Sequence, residues 1–216
     1  MKNKNDSTAE FLPDPSSIRE AIVELASDSK RLDVAVAFIR PEWESLLGNY
    51  LGTIRVICWL GNPATDPYAV ESMRMREDLL VKQRDGLHTK MYLVPGVGAI
   101  VGSANLSSSA LGSRVGHQQD EVAVLVTDQL LVKEIGIWFE ERWNNSETKE
   151  ISDADLAKAK EDFKKWPIPK LNTTNRIPLL PDPMPEAITN LANRVRGLDL
   201  MKENRKHRNR AVAFVR

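Results

Sequence analysis

Apolar residues recur at helical spacing in residues 16–28, where Ile18, Ile22 and Leu25 share one face and Ser16 or Ser17 stands at the cap. The next run, LDVAVAFI (32–39), is almost continuously apolar and β-branched, which predicts a strand buried on both faces. Pro41 opens a short helix that ends near Gly48, and TIRVICWLG (53–61) is a second buried strand closed by Gly61, Asn62 and Pro63. Residues 66–83 predict a helix with Val70, Met73 and Leu80 inward. A strand over 86–94, a Pro95-Gly96 turn and a strand over 98–106 follow, and then a buried strand at 121–127. Asp128 caps a long amphipathic helix on which Leu131, Ile135, Trp138 and Phe139 fall at helical spacing, so Trp138 belongs to the core. Strands alternating with helices define an α/β layered domain.

The pattern changes near residue 145. A helix is expected over 153–166, and residues 166–185 then hold six of the twelve prolines, a spacing that favours extended chain. A last helix is expected over 185–205. The compact domain is therefore assigned to residues 1–146, and residues 147–216 to a helical, Pro-rich extension.

Charge adds one feature. Thirty basic residues balance thirty acidic ones over the 216-residue chain, so bulk charge neither demands nor excludes a nucleic-acid partner. The last sixteen residues carry six basic residues against the single acid Glu203, a net +5 that leaves −5 on the rest. Arg205, Lys206 and Arg208 are the centre of this basic tail, which reads as an arm for a phosphate backbone or as a solvated helix. One cysteine, Cys58, rules out a disulfide framework or a cysteine-cluster metal site, and three histidines leave little for a zinc site. The polar start and the absence of a long apolar stretch point to a cytoplasmic protein without a membrane anchor.

The chemistry concentrates in His88-Thr89-Lys90 and, after eleven intervening residues, Gly102-Ser103-Ala104-Asn105. Side chains alternate along a strand, so His88 and Lys90 would share one side, as would Ser103 and Asn105 on the partner. Pairing of the two strands would gather an imidazole, an ammonium, a hydroxyl and an amide: a cradle for phosphate with a nucleophile inside it. Gly102 would let the backbone approach closely, and the amides of the Ser107–Ser109 run would either add phosphate contacts or merely cap a helix.

This pattern resembles the phospholipase D superfamily motif, HxK(x4)D(x6)GSxN, and the Lys90-to-Gly102 spacing matches it without a gap. The order of elements over residues 15–146 is similar as well. The resemblance implies a mixed β-sheet flanked by helices and a cofactor-free phosphodiesterase in which histidine attacks phosphorus. It implies His88, Lys90, Ser103 and Asn105 as catalytic groups. The motif's Asp slot falls at Pro95, so the resemblance shifts the orienting role to an acid on the following strand: Glu121, with Asp120 as the alternative. The motif occurs once, while the family's reaction needs two histidines, which implies a homodimer with two copies of His88 across its interface. Small single-motif members are mostly nucleases, some in restriction or phage-defence systems, so the expected substrate is nucleic acid, DNA before RNA. The alternatives are a scaffold subunit that binds phosphate beside an ATPase or helicase, and a phospholipid-processing enzyme.

Overall fold

The computed structural model describes residues 8–112 and 119–165. In chain order the elements are β1 (Ala9–Leu12), α1 (Pro15–Ala26), β2 (Arg31–Val36), α2 (Trp43–Leu47), β3 (Thr53–Cys58), α3 (Pro67–Arg74), β4 (Leu79–Arg84), β5 (Lys90–Val94), β6 (Gly98–Gly102), β7 (Ala123–Val126), α4 (Gln129–Trp143), β8 (Thr148–Glu150) and α5 (Asp153–Lys165). The strands form one mixed sheet in the order β1-β7-β6-β5-β2-β3-β4-β8. β2, β3 and β4 run parallel, and the remaining pairings are antiparallel.

Alternation along each strand divides the core between the two faces. Val34, Val36, Val56, Tyr92 and Ile100 face α1 and α3, where Ile18, Ile22, Val70 and Met73 meet them. Ala35, Ile57, Met91, Leu93 and Ala99 face α4, which lays Val132, Phe139 and Trp143 over them. The continuous apolar runs at 32–39 and 53–61 are thus covered on both faces, whereas the run at 121–127, expected to be buried, leaves Val122 and Val124 48% and 37% exposed on one face.

Local chemistry sets the helix ends. Asp14, rather than either serine, caps α1: its carboxylate accepts from the Ser17 amide at 2.9 Å, and Pro15 takes the first helical position. Asp66 caps α3 and, as expected, Asp128 caps α4.

Three expectations need correction. The helix over 66–83 stops at Arg74; Leu79–Arg84 is a strand paired with β3, and Leu80 is 51% exposed rather than inward. Its residues suit a helix, but Leu79 and Val81 alternate with exposed positions, and pairing with β3 decides the outcome. On α4, Phe139 is fully buried and Trp138 is half-buried against the core, whereas Leu131 is 43% exposed. The compact unit also runs past residue 146: β8 pairs with β4, and Ile151 and Leu156 enter the main core. The Pro-rich stretch, the expected last helix, the basic tail, His117 and His207 lie outside the described residues.

Candidate active site

The topology carries His88 to one end of the sheet. β4 and β5 are consecutive in sequence, yet β3 and β2 lie between them. Residues 85–89 must therefore cross about 14 Å, three strand spacings, over the carboxyl ends of the parallel strands. Gly86 turns the chain at φ 72° to begin that crossing. His88 accordingly lies in the crossing segment, exposed, and not within the strand where the alternation placed it. Lys90 opens β5 and pairs with Val36 at the end of β2.

The second half of the motif arrives by a turn. β6 ends at Gly102, so Ser103 and Asn105 are not alternating strand residues. A Cβ on Gly102 would come within 2.3 Å of the Val122 carbonyl oxygen and 2.5 Å of Ala123 Cβ. The close approach that requires glycine is thus to β7 rather than to substrate. Ser103 fixes the same junction: its amide donates to the Val122 carbonyl at 3.0 Å and its hydroxyl accepts from the Val122 amide at 3.1 Å. The Ser103 hydroxyl also donates to the Glu121 carboxylate.

Lys90 Nζ lies 3.1 Å from Nδ1 and 3.2 Å from Nε2 of His88 and donates to the His88 carbonyl at 3.0 Å. The ammonium therefore lies within hydrogen-bond distance of both imidazole nitrogens, of which the unprotonated one is the acceptor in either neutral tautomer. Lys90 is only 9% exposed, and burial lowers its pKa from the ordinary 10.5, with the Glu121 charge acting in the opposite sense. Rising pH converts this ammonium to an amine earlier than for a free lysine. Activity that depends on the charge is expected to fall on the alkaline side below pH 10.5, and Lys90→Arg to remove that fall, which a pH–rate profile checks.

Asn105 is buried, and its Oδ1 accepts from the Phe38 amide at 3.2 Å. That bond sets the amide's orientation and leaves both Nδ2 hydrogens available as donors. Tyr92 props the turn from below: its hydroxyl donates to the Ala104 carbonyl at 3.2 Å, and burial raises its pKa, so it stays neutral. Cys58 is buried and its thiol is pushed up to about 12, so it offers no competing nucleophile.

His88, Lys90, Glu121 and Ser103 form one linked set, and Asn105 joins through its turn. Glu121, expected to orient His88, instead receives the Ser103 hydroxyl; among the described residues the imidazole's hydrogen-bond partner is Lys90. Ser107 serves its own turn, its amide bonding the Asn105 carbonyl at 2.9 Å and its hydroxyl accepting from the Ala110 amide at 3.3 Å. Residues 107–112 are turns rather than the expected helix. Arg205, Lys206 and Arg208 fall outside the described residues. Pro95 takes the first corner of the β5–β6 turn, with Gly96 at φ 72° in the second. It lies five residues along the strand from Lys90, about 17 Å away, so the empty Asp slot removes no group from this set. Among the described residues no group of three or more His, Cys, Asp or Glu is arranged to hold a metal ion.

The family model described as cardiolipin synthase, PLD-like domain, matches residues 9–143, and the chain belongs to this phospholipase D-like family. No curated protein matches the sequence. Among solved structures the fold is similar to NucT from Helicobacter pylori, with a TM-score of 0.54 at 12% identity, covering 66% of this chain and 98% of that one. It is also similar to Nuc, a phospholipase D family member from Salmonella typhimurium, with a TM-score of 0.50 at 16% identity and coverage of 66% and 95%. A phosphatidylserine synthase from Haemophilus influenzae matches with a TM-score of 0.54 at 10% identity, covering 73% of this chain and 42% of that one.

Proposed function

We infer that the chain is a phosphodiesterase that cleaves nucleic acid, DNA before RNA, through a phosphohistidine, without a metal ion. The observation that carries the reading is the Lys90 ammonium held within 3.2 Å of both nitrogens of an exposed His88 imidazole. A phosphate arriving between Lys90, Ser103 and the Asn105 amide would draw the ammonium away from the imidazole and leave its unprotonated nitrogen free to attack. The nitrogen then attacks phosphorus, the N–P bond forms and the P–O bond to the leaving group breaks. A second imidazolium donates its proton to the departing oxygen. Water next attacks the phosphohistidine, giving its proton to the second imidazole and restoring His88.

The second imidazole is His88 of another copy in a homodimer. An uncovered apolar row favours such pairing. Phe11, Val124 and Val101 stand opposite one another across β1, β7 and β6, on the α4-side face, and are 63%, 37% and 41% exposed. Val122, 48% exposed, extends the row to the residue that bonds Ser103. Patches of this kind mark association surfaces. The same row would suit a lipid interface, which the sequence pattern did not reveal, so phospholipid processing is the competing reading. Among the described residues no helix is long and apolar enough to cross a membrane. A cytoplasmic place and a restriction or phage-defence role extend the reading through the small single-motif members, while an ATPase or helicase partner belongs to the alternative of a phosphate-binding scaffold subunit.

The test is incubation in EDTA with single-stranded DNA, duplex DNA, RNA and, separately, phospholipid vesicles. Cleavage of nucleic acid is the expected result. Headgroup release from vesicles with all three nucleic acids intact would replace this reading with the lipid one.

A further inference from the structure

Just beyond β2 the chain carries an alternation that the motif does not explain. Ala37 and Ile39 are fully buried, while Phe38 and Arg40 are half-exposed. Ile39 forms a parallel bridge with Leu106, the Arg40 amide donates to the Leu106 carbonyl at 3.0 Å, and the Phe38 amide donates to Asn105. On its other side the Ile39 carbonyl accepts from the Asp66 amide at 2.9 Å. Residues 38–40 are thus a fixed extended rail along the Asn105–Ser107 turn. With Ile39 inward, Phe38 and Arg40 both point outward, roughly 7 Å apart. Phe38 belongs to neither core cluster, and among the described residues Arg40 forms no ion pair. The rail starts beside the nucleophile: Phe38 is two residues past Val36, and His88 two before Lys90, the pair that ends the β2–β5 ladder.

An aromatic face next to a guanidinium without an ion pair among the described residues matches one nucleotide, with the ring for a base and the fork for a phosphate. We propose that Phe38 and Arg40 form a subsite for the nucleotide adjoining the scissile phosphate, Phe38 stacking its base and Arg40 holding its outer phosphate. The substrate therefore enters as a single strand, because a base within a duplex is already stacked on both sides. The subsite rests on the nucleic-acid reading above, but it is tested by binding alone.

The probe is a fluorescent oligothymidine of ten nucleotides, compared with an abasic strand of the same length. The protein is the full chain carrying His88→Ala, so that nothing is cut. Adding Phe38→Ala or the packing-conservative Phe38→Leu should weaken oligothymidine binding about tenfold and change abasic binding less than twofold. Arg40→Ala should weaken both strands, and Lys133→Ala, on the exposed surface of α4, neither. The subsite is overturned if Phe38→Leu leaves oligothymidine affinity unchanged, or weakens both strands equally. A chain that cuts no nucleic acid yet shows this binding pattern would refute the nuclease reading and keep the subsite.

Discussion

Replacing His88 with alanine is expected to cut phosphodiester hydrolysis by roughly a thousandfold, with the thermal melt unchanged. The size follows from the two roles that one residue type fills, since each copy of His88 supplies either the nucleophile or the proton for the leaving group. The unchanged melt follows from its position: the imidazole is exposed in the segment that crosses the sheet end and belongs to neither core. Activity and circular dichroism measured on the same preparation separate the two effects. Residual activity above a tenth of the parent's would remove His88 from the chemistry.

The largest stability effect is expected at a site remote from that chemistry. Asp33, 1% exposed on β2, accepts two bonds from Arg55, from Nε at 2.7 Å and from a terminal nitrogen at 2.8 Å. The same guanidinium donates to Glu140 of α4 at 2.6 Å and lies 5.0 Å from the ring centres of both Phe139 and Trp143. Burial acts to lower the Arg55 pKa, but the bonds to Asp33 and Glu140 outweigh it, so the arginine stays charged. Asp33→Ala leaves that charge under α4 without its buried partner and is expected to cost about 3–5 kcal/mol. Glu140→Ala should cost about 1 kcal/mol or less, because that carboxylate is 43% exposed and screened by water. Urea unfolding with matched m-values checks both. Equal losses in the two variants would mean that the cluster is not divided in this way.

This cluster shows what the sequence conceals. Asp33 stands inside the apolar run 32–39, and nothing near it in sequence signals Arg55, its neighbour across the β2–β3 pairing, or Glu140 on a helix about a hundred residues further along. The strands that were missed share that property. β1 and β8 are four and three residues long and exist through their partners β7 and β4, while β4 reads as a continued helix until it is set beside β3. What proved legible depended on local chemistry: the Asp128 cap, the Pro95-Gly96 turn, and the α/β alternation with its doubly buried strands. The motif residues were legible because their types and spacing are chemically particular. Their arrangement was not, since His88 and Ser103 lie beyond the strand ends, where alternation no longer applies.

In the proposed mechanism two copies of His88 complete one site. Unaltered chains and His88→Ala chains should be mixed in equal amounts, unfolded and refolded together so that they pair at random, and assayed on single-stranded DNA in EDTA. Random pairing leaves about a quarter of the dimers with both histidines. Hydrolysis is therefore expected at about a quarter of that given by the same total amount of unaltered protein treated in the same way. A value of one half would show that each chain works alone, and would contradict the shared site.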